Sequence, residues 1–261
     1  MGASHSCDDN IYLITYNCQI KFFSSYKSNR LLNYINNFKN NNFILCLQGL
    51  YDYKTIKYLE DNITSSKIQK INNIYENGLY IFCTYTVNNI EQHKYTLNDK
   101  YQNLIDSKKG FITFDININK NLVTIYNTEL QNDISNNLLF DEIRLQQITE
   151  ILYFITNRSK YDSKKRINII MGSIYMDNIK SNKLCDVINI LEKNSDIITN
   201  IDDNIQDDYI LFLTEKDINC DQIINYMKEE YGILLMNVII RTEMNFSKNL
   251  PCEIILKIIK K

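Results

Sequence analysis

The chain has 261 residues, of which 44% are hydrophobic, and its 29 Lys and Arg against 31 Asp and Glu give a formal net charge of -2. Near-neutral charge excludes the globally basic footprint of a nucleic-acid binder. So large an apolar fraction with so little net charge also excludes intrinsic disorder. No apolar run reaches the ~18 residues of a transmembrane helix.

The first residues, Met1-Gly2-Ala3-Ser4-His5-Ser6, fit the N-myristoylation pattern M-G-x-x-x-[ST], with Gly2 as acceptor. One acyl chain holds a membrane only marginally, so a second signal is expected. Candidates are S-acylation of Cys7, or Lys21, Lys27, Arg30 and Lys39 against anionic lipid. Residues 1–9 read as a flexible lipidation segment and 10–261 as a single domain. The segment carries no apolar core of a secretory signal.

Ile11 to Ile20 reads as a strand, and Ser28 to Phe38 as a helix with Leu31, Leu32, Ile35 and Phe38 on one face. Phe43 to Leu47 is a buried strand. Asp52 to Leu59 and Thr64 to Ile71 are weaker helical segments. Leu79 to Thr86, Phe111 to Ile118 and Leu122 to Thr128 are strands. Glu142 to Phe154 is the clearest helix, with Ile143, Ile148, Ile151, Leu152 and Ile155 on one face. Strands follow at Ile167 to Met171, Tyr209 to Leu213, Leu234 to Arg241 and Glu253 to Ile259, with helices at Leu184 to Leu191 and Asp221 to Tyr231. Many strands in one α+β domain is the class this order predicts.

The seven cysteines are scattered and form no C-x-x-C, so they read as small buried hydrophobes. His93, in the polar stretch Glu91 to Lys94, and the basic run Ser163 to Arg166 read as solvated loop, and the acidic run Asp202 to Asp208 as a solvated turn.

Several short motifs keep a recognisable order. They are Thr15-Tyr16-Asn17, Leu47-Gln48-Gly49, Gly78-Leu79-Tyr80-Ile81-Phe82, Lys109-Gly110-Phe111 and Asn127-Thr128-Glu129-Leu130. After them come Arg144-Leu145-Gln146-Gln147, Gly172-Ser173-Ile174-Tyr175, Asp208-Tyr209-Ile210 and Ser247 to Pro251. In this order, over roughly residues 10 to 260, they resemble the endonuclease/exonuclease/phosphatase superfamily of DNase-like nucleases, neutral sphingomyelinases and inositol phosphatases. The resemblance implies a four-layer α/β/β/α sandwich of two mostly antiparallel sheets flanked by helices.

That family hydrolyses phosphoesters with Mg²⁺ and an activated water. By the resemblance, its metal-binding Glu falls at Gly49 and its phosphate-binding His at Glu129. Its catalytic Asp-x-Asn falls at Ser173 and Tyr175, and its final Asp-His at Lys248 and Asn249. Only Asn17 and Asp208 persist. The chain holds two histidines in all, His5 and His93. The expectation is therefore a pseudoenzyme without metal or cofactor, anchored to the cytoplasmic face of a membrane and binding an unknown protein partner, with nucleic acid not expected. The alternative is a divalent-metal-dependent phosphodiesterase, nuclease or sphingomyelinase-like, with relocated catalytic residues.

Only 6 Gly and 1 Pro occur, against averages of roughly 7% and 5%. Residues with AT-rich codons replace them, which with the acylation signal points to a large DNA virus.

Overall fold

The computed structural model describes residues 10–72, 77–96, 109–118, 120–131, 138–161, 166–175, 208–213, 233–240 and 252–258. Its elements are β1 (Asn10–Ile20), α1 (Ser25–Asn37), β2 (Asn42–Leu50), α2 (Tyr53–Asn62), β3 (Gln69–Asn72), β4 (Tyr80–Cys83) and β5 (Asn88–Lys94). There follow β6 (Gly110–Ile118), β7 (Asn121–Glu129), α3 (Leu138–Tyr161), β8 (Arg166–Ser173), β9 (Asp208–Leu213), β10 (Ile233–Ile240) and β11 (Cys252–Ile258).

Two sheets result, one of six strands in the order β10-β11-β1-β2-β4-β3 and one of five in the order β5-β6-β7-β8-β9. Among the described residues, each sheet holds one parallel pair, β1 with β2 and β7 with β8. The other pairs are antiparallel. A parallel pair needs a crossover. Helix α1 supplies it in the first sheet and α3 in the second, so β11-β1-β2-β4 and β6-β7-β8-β9 follow the same pattern.

Alternation along the strands sorts the side chains into layers. Leu13, Ile44, Cys46 and Ile81 from the first sheet meet Ile112, Phe114, Ile125, Ile169 and Met171 from the second in the central core. The opposite faces carry Ile14, Tyr16, Phe43, Leu45 and Phe82 under α1 and α2. Phe111, Tyr126 and Ile170 lie under α3, against Ile148, Ile151, Leu152 and Ile155. This is the expected four-layer sandwich. The helices begin where their caps dictate: Ser24 accepts from the Lys27 N–H, and Asp52 accepts from the Thr55 N–H at 2.6 Å.

Three local expectations fail. The span Thr64 to Ile71 is not helical. Ile68 joins the outer core and Ile71 enters β3 facing the central one, so their three-residue spacing reflects two layers, not one helix face. His93 lies in strand β5, with its ring 4.7 Å from Phe111 and 4.3 Å from Phe154. The polar sequence Asn88 to Lys94 hides this strand because it lies at a sheet edge. Arg166 opens β8 and is buried, donating to Asp115 at 2.7 Å while Arg158 holds the other carboxylate oxygen at 3.0 Å. The helices expected at Leu184 to Leu191 and Asp221 to Tyr231 lie outside the described residues, as do Ser163 to Lys165 and Asp202 to Asp207.

Candidate functional site

Both parallel pairs end at the same edge of the sandwich, where the carboxyl ends of such strands commonly place ligand sites. Two layers of buried polar groups tie the sheets together there. In the deeper layer, the Gln48 amide donates to Asn127 Oδ1 at 2.7 Å and to Thr15 Oγ1 at 3.0 Å. The Asn127 amide in turn donates to the Leu47 carbonyl at 3.3 Å. The sequence marks all three residues as motif positions and assigns none of them a role.

The upper layer centres on Glu129. Its Oε2 lies 2.9 Å from Lys109 Nζ and accepts from the Tyr51 hydroxyl at 2.9 Å. Its Oε1 accepts from the Tyr175 hydroxyl at 3.2 Å. Asn17 Nδ2 donates to Tyr175 at 2.7 Å, and Lys109 Nζ donates to Tyr51 at 3.4 Å. Each tyrosine hydroxyl thus accepts one bond and donates another to the same carboxylate. A buried carboxylate requires such partners, since an unpaired charge at this depth costs several kcal/mol.

Backbone geometry fixes the layer. Tyr175 adopts φ 53, a conformation unusual for a bulky residue, and its hydroxyl lies between Asn17 and Glu129. Gly49 sits at φ 66, where a Cβ would fall 2.5 Å from Asn17 Oδ1 and 2.9 Å from the Gln19 nitrogen. Gly78, at φ 76, backs the Tyr51 ring, which a Cβ would approach to 2.7 Å.

Asn17, Gly49, Glu129, Ser173 and Tyr175 therefore converge, as their sequence positions imply. Ser173 pairs with Glu129 on one side and with the backbone of Asp208 on the other. Lys248, Asn249, Gly2 and Cys7 lie outside the described residues. Sequence reasoning misses Tyr51 and Lys109 as members of the site. The one sequence signal for Lys109 is that it stands in the Lys109-Gly110-Phe111 motif before β6, and the partner that gives it meaning, Glu129, is on β7.

As a donor set for Mg²⁺ these groups do not fit. Gly49 has no side chain, and both oxygens of Glu129 are taken by cationic or hydroxyl donors. Among the described residues, no three His, Cys, Asp or Glu side chains come together. His93 contacts Phe111, Phe154 and Glu91 beside α3 rather than Glu129. It lines a separate groove of about 470 Å³, and burial holds its pKa below the usual histidine value.

The arrangement of two mixed sheets with its site at the carboxyl ends of two parallel pairs is the endonuclease/exonuclease/phosphatase fold. Sphingomyelinase C from Streptomyces griseocarneus superposes with a TM-score of 0.62 at 13% identity, over 95% of this chain and 99% of that one. D. rerio TDP2, humanized by 14 mutations, gives 0.64 at 10% identity over 96% and 100%. An endonuclease/exonuclease/phosphatase from Bacteroides vulgatus gives 0.60 at 13% over 95% and 99%. No protein-family model and no curated protein matches the chain.

Proposed function

We propose that this chain is a catalytically silent protein of the endonuclease/exonuclease/phosphatase fold, N-myristoylated at Gly2. It docks an unidentified protein partner at the cytoplasmic face of a membrane, in an infected cell or a virion of a large DNA virus. One observation carries the silent half of this reading: the position of the family's phosphate-binding histidine holds Glu129, and its charge is spent on Lys109 within a sealed network. An anion there repels a phosphate, and a carboxylate already holding an ammonium and two hydroxyls has little left for a metal. Hydrolysis would also need a base for the water, and the one histidine of the domain is on the α3 side of the second sheet. The acylated half rests on the M-G-x-x-x-[ST] start.

The test of the anchor is intact mass after co-expression with an N-myristoyltransferase, with membrane fractionation in cells. A mass gain of one myristoyl group, with membrane association lost in Gly2→Ala, supports the reading. An unmodified chain, or equal association of Gly2→Ala, counts against it.

A further inference from the structure

The loop after β1 and the start of α2 form one continuous surface. The Tyr51 N–H donates to the Ile20 carbonyl at 2.9 Å, and Ser28 Oγ meets Thr55 Oγ1 at 3.3 Å. The rings of Phe23 and Tyr58 lie 6.4 Å apart. On this surface Phe22, Phe23, Tyr26 and Tyr53 stand out into solvent, Phe22 with 83% of its surface exposed. A folded chain gains nothing by displaying Phe22 in this way, and four aromatic residues clustered at one edge form a patch rather than scattered exposure.

The charges around these rings are one-sided. Lys21, Lys27 and Arg30 flank the first three, and Lys54 and Lys57 flank Tyr53. The single acid within residues 21–30 and 51–58, Asp52, is engaged in capping α2, and Glu60 and Asp61 fall in the last turn of that helix, away from Tyr53. The chain as a whole carries -2, so this cationic face is set apart from the average. Arg30 lies over the Tyr26 ring, 5.5 Å from its centroid, and donates to the Tyr26 hydroxyl at 3.1 Å. Amphipathic rings seated at headgroup level, with cations facing acidic lipid, are how proteins rest on an anionic bilayer. Lys39 is not part of this face, because it follows α1, which at 13 residues is about 20 Å long.

We propose that the surface carrying Phe22, Phe23, Tyr26 and Tyr53 seats on an anionic lipid bilayer and supplies the second membrane signal that a single acyl chain requires. This rests on the reading that the protein works at a membrane, and it places the edge holding Asn17 and Glu129 close to the lipid.

The test uses the full chain carrying Gly2→Ala, so that no acyl chain contributes, and phosphatidylcholine vesicles with or without phosphatidylserine. The unacylated chain partitions onto the serine-containing vesicles only. Lys54→Glu with Lys57→Glu lowers that partition by more than about tenfold, because each cation near an acidic surface is worth about fivefold. Phe22→Ser with Phe23→Ser lowers it by about tenfold or more with the melting temperature unchanged, and Lys39→Glu changes it less than either. Equal partition of both patch variants and the parent overturns the proposal. So does self-association that Phe22→Ser with Phe23→Ser abolishes without vesicle binding, which would make a second copy the occupant. If the Gly2→Ala chain ignores serine-containing vesicles while the myristoylated chain binds, this surface fails and the acyl anchor stands. If the myristoylated chain binds no membrane either, the membrane reading itself fails.

Discussion

Lys109 Nζ lies 2.9 Å from a Glu129 carboxylate oxygen, with only 7% and 6% of the two side chains exposed. Neither charge can recruit water as a substitute partner. Replacing Lys109 with Met therefore strands the carboxylate and should cost about 3–5 kcal/mol. Lys109→Met combined with Glu129→Leu removes both charges and should recover most of that loss. Urea unfolding of the two single variants and the double variant measures the coupling.

Restoring a carboxylate at the position of the family's metal ligand should fail. In Gly49→Glu the new Cβ meets Asn17 Oδ1 and the Gln19 backbone, and a non-glycine residue must hold φ 66. The left-handed conformation alone costs about 1–2 kcal/mol, and the clash adds to it. Thermal unfolding should show a melting temperature lowered by several degrees, and Mg²⁺ should not restore it.

His93 gives the fold a pH dependence with a defined sign. Burial lowers its pKa below 6.5, against the opposing pull of Glu91. The unfolded chain thus binds a proton that the folded chain refuses. Stability from this residue is fully present above about pH 6.5 and falls as pH drops through the lowered folded pKa. Urea midpoints at neutral and mildly acidic pH should separate in the parent and converge in His93→Gln, after subtraction of the slope common to both.

Cys46 and Cys83 should behave as hydrophobes. Burial pushes the Cys46 thiol well up and that of Cys83 to about 12, so the thiolate that reacts is scarce. Peptide-resolved mass spectrometry after brief alkylation should find both unmodified in the folded protein and both modified in denaturant.

Much of the sandwich is legible because its strands alternate between two apolar layers. Ile11 to Ile20 and Phe111 to Ile118 state their faces in the sequence, and Ile148, Ile151, Leu152 and Ile155 state that of α3. Edges and buried ions are not legible. Among the described residues strand β5 pairs on one side only and so needs no apolar pattern, and Ile68 and Ile71 imitate a helix while serving two different layers. Lys109 and Arg166 look like surface cations because their partners are distant in sequence: Glu129 is on β7, and Asp115 is on β6, across β7 from Arg166. The convergence of Asn17, Gly49, Glu129, Ser173 and Tyr175 is readable from motif order. The hydrogen-bonded circuit around Glu129 also depends on Tyr51, which no motif marks.

In the proposed function this fold has given up hydrolysis. The most direct measurement is phosphodiester turnover on DNA and on sphingomyelin with Mg²⁺ and with Mn²⁺, for the parent chain and for Asp208→Ala. Both chains should give rates at the no-protein level in every condition. Metal-dependent turnover in the parent, abolished by Asp208→Ala, would show instead that the site still hydrolyses phosphodiesters.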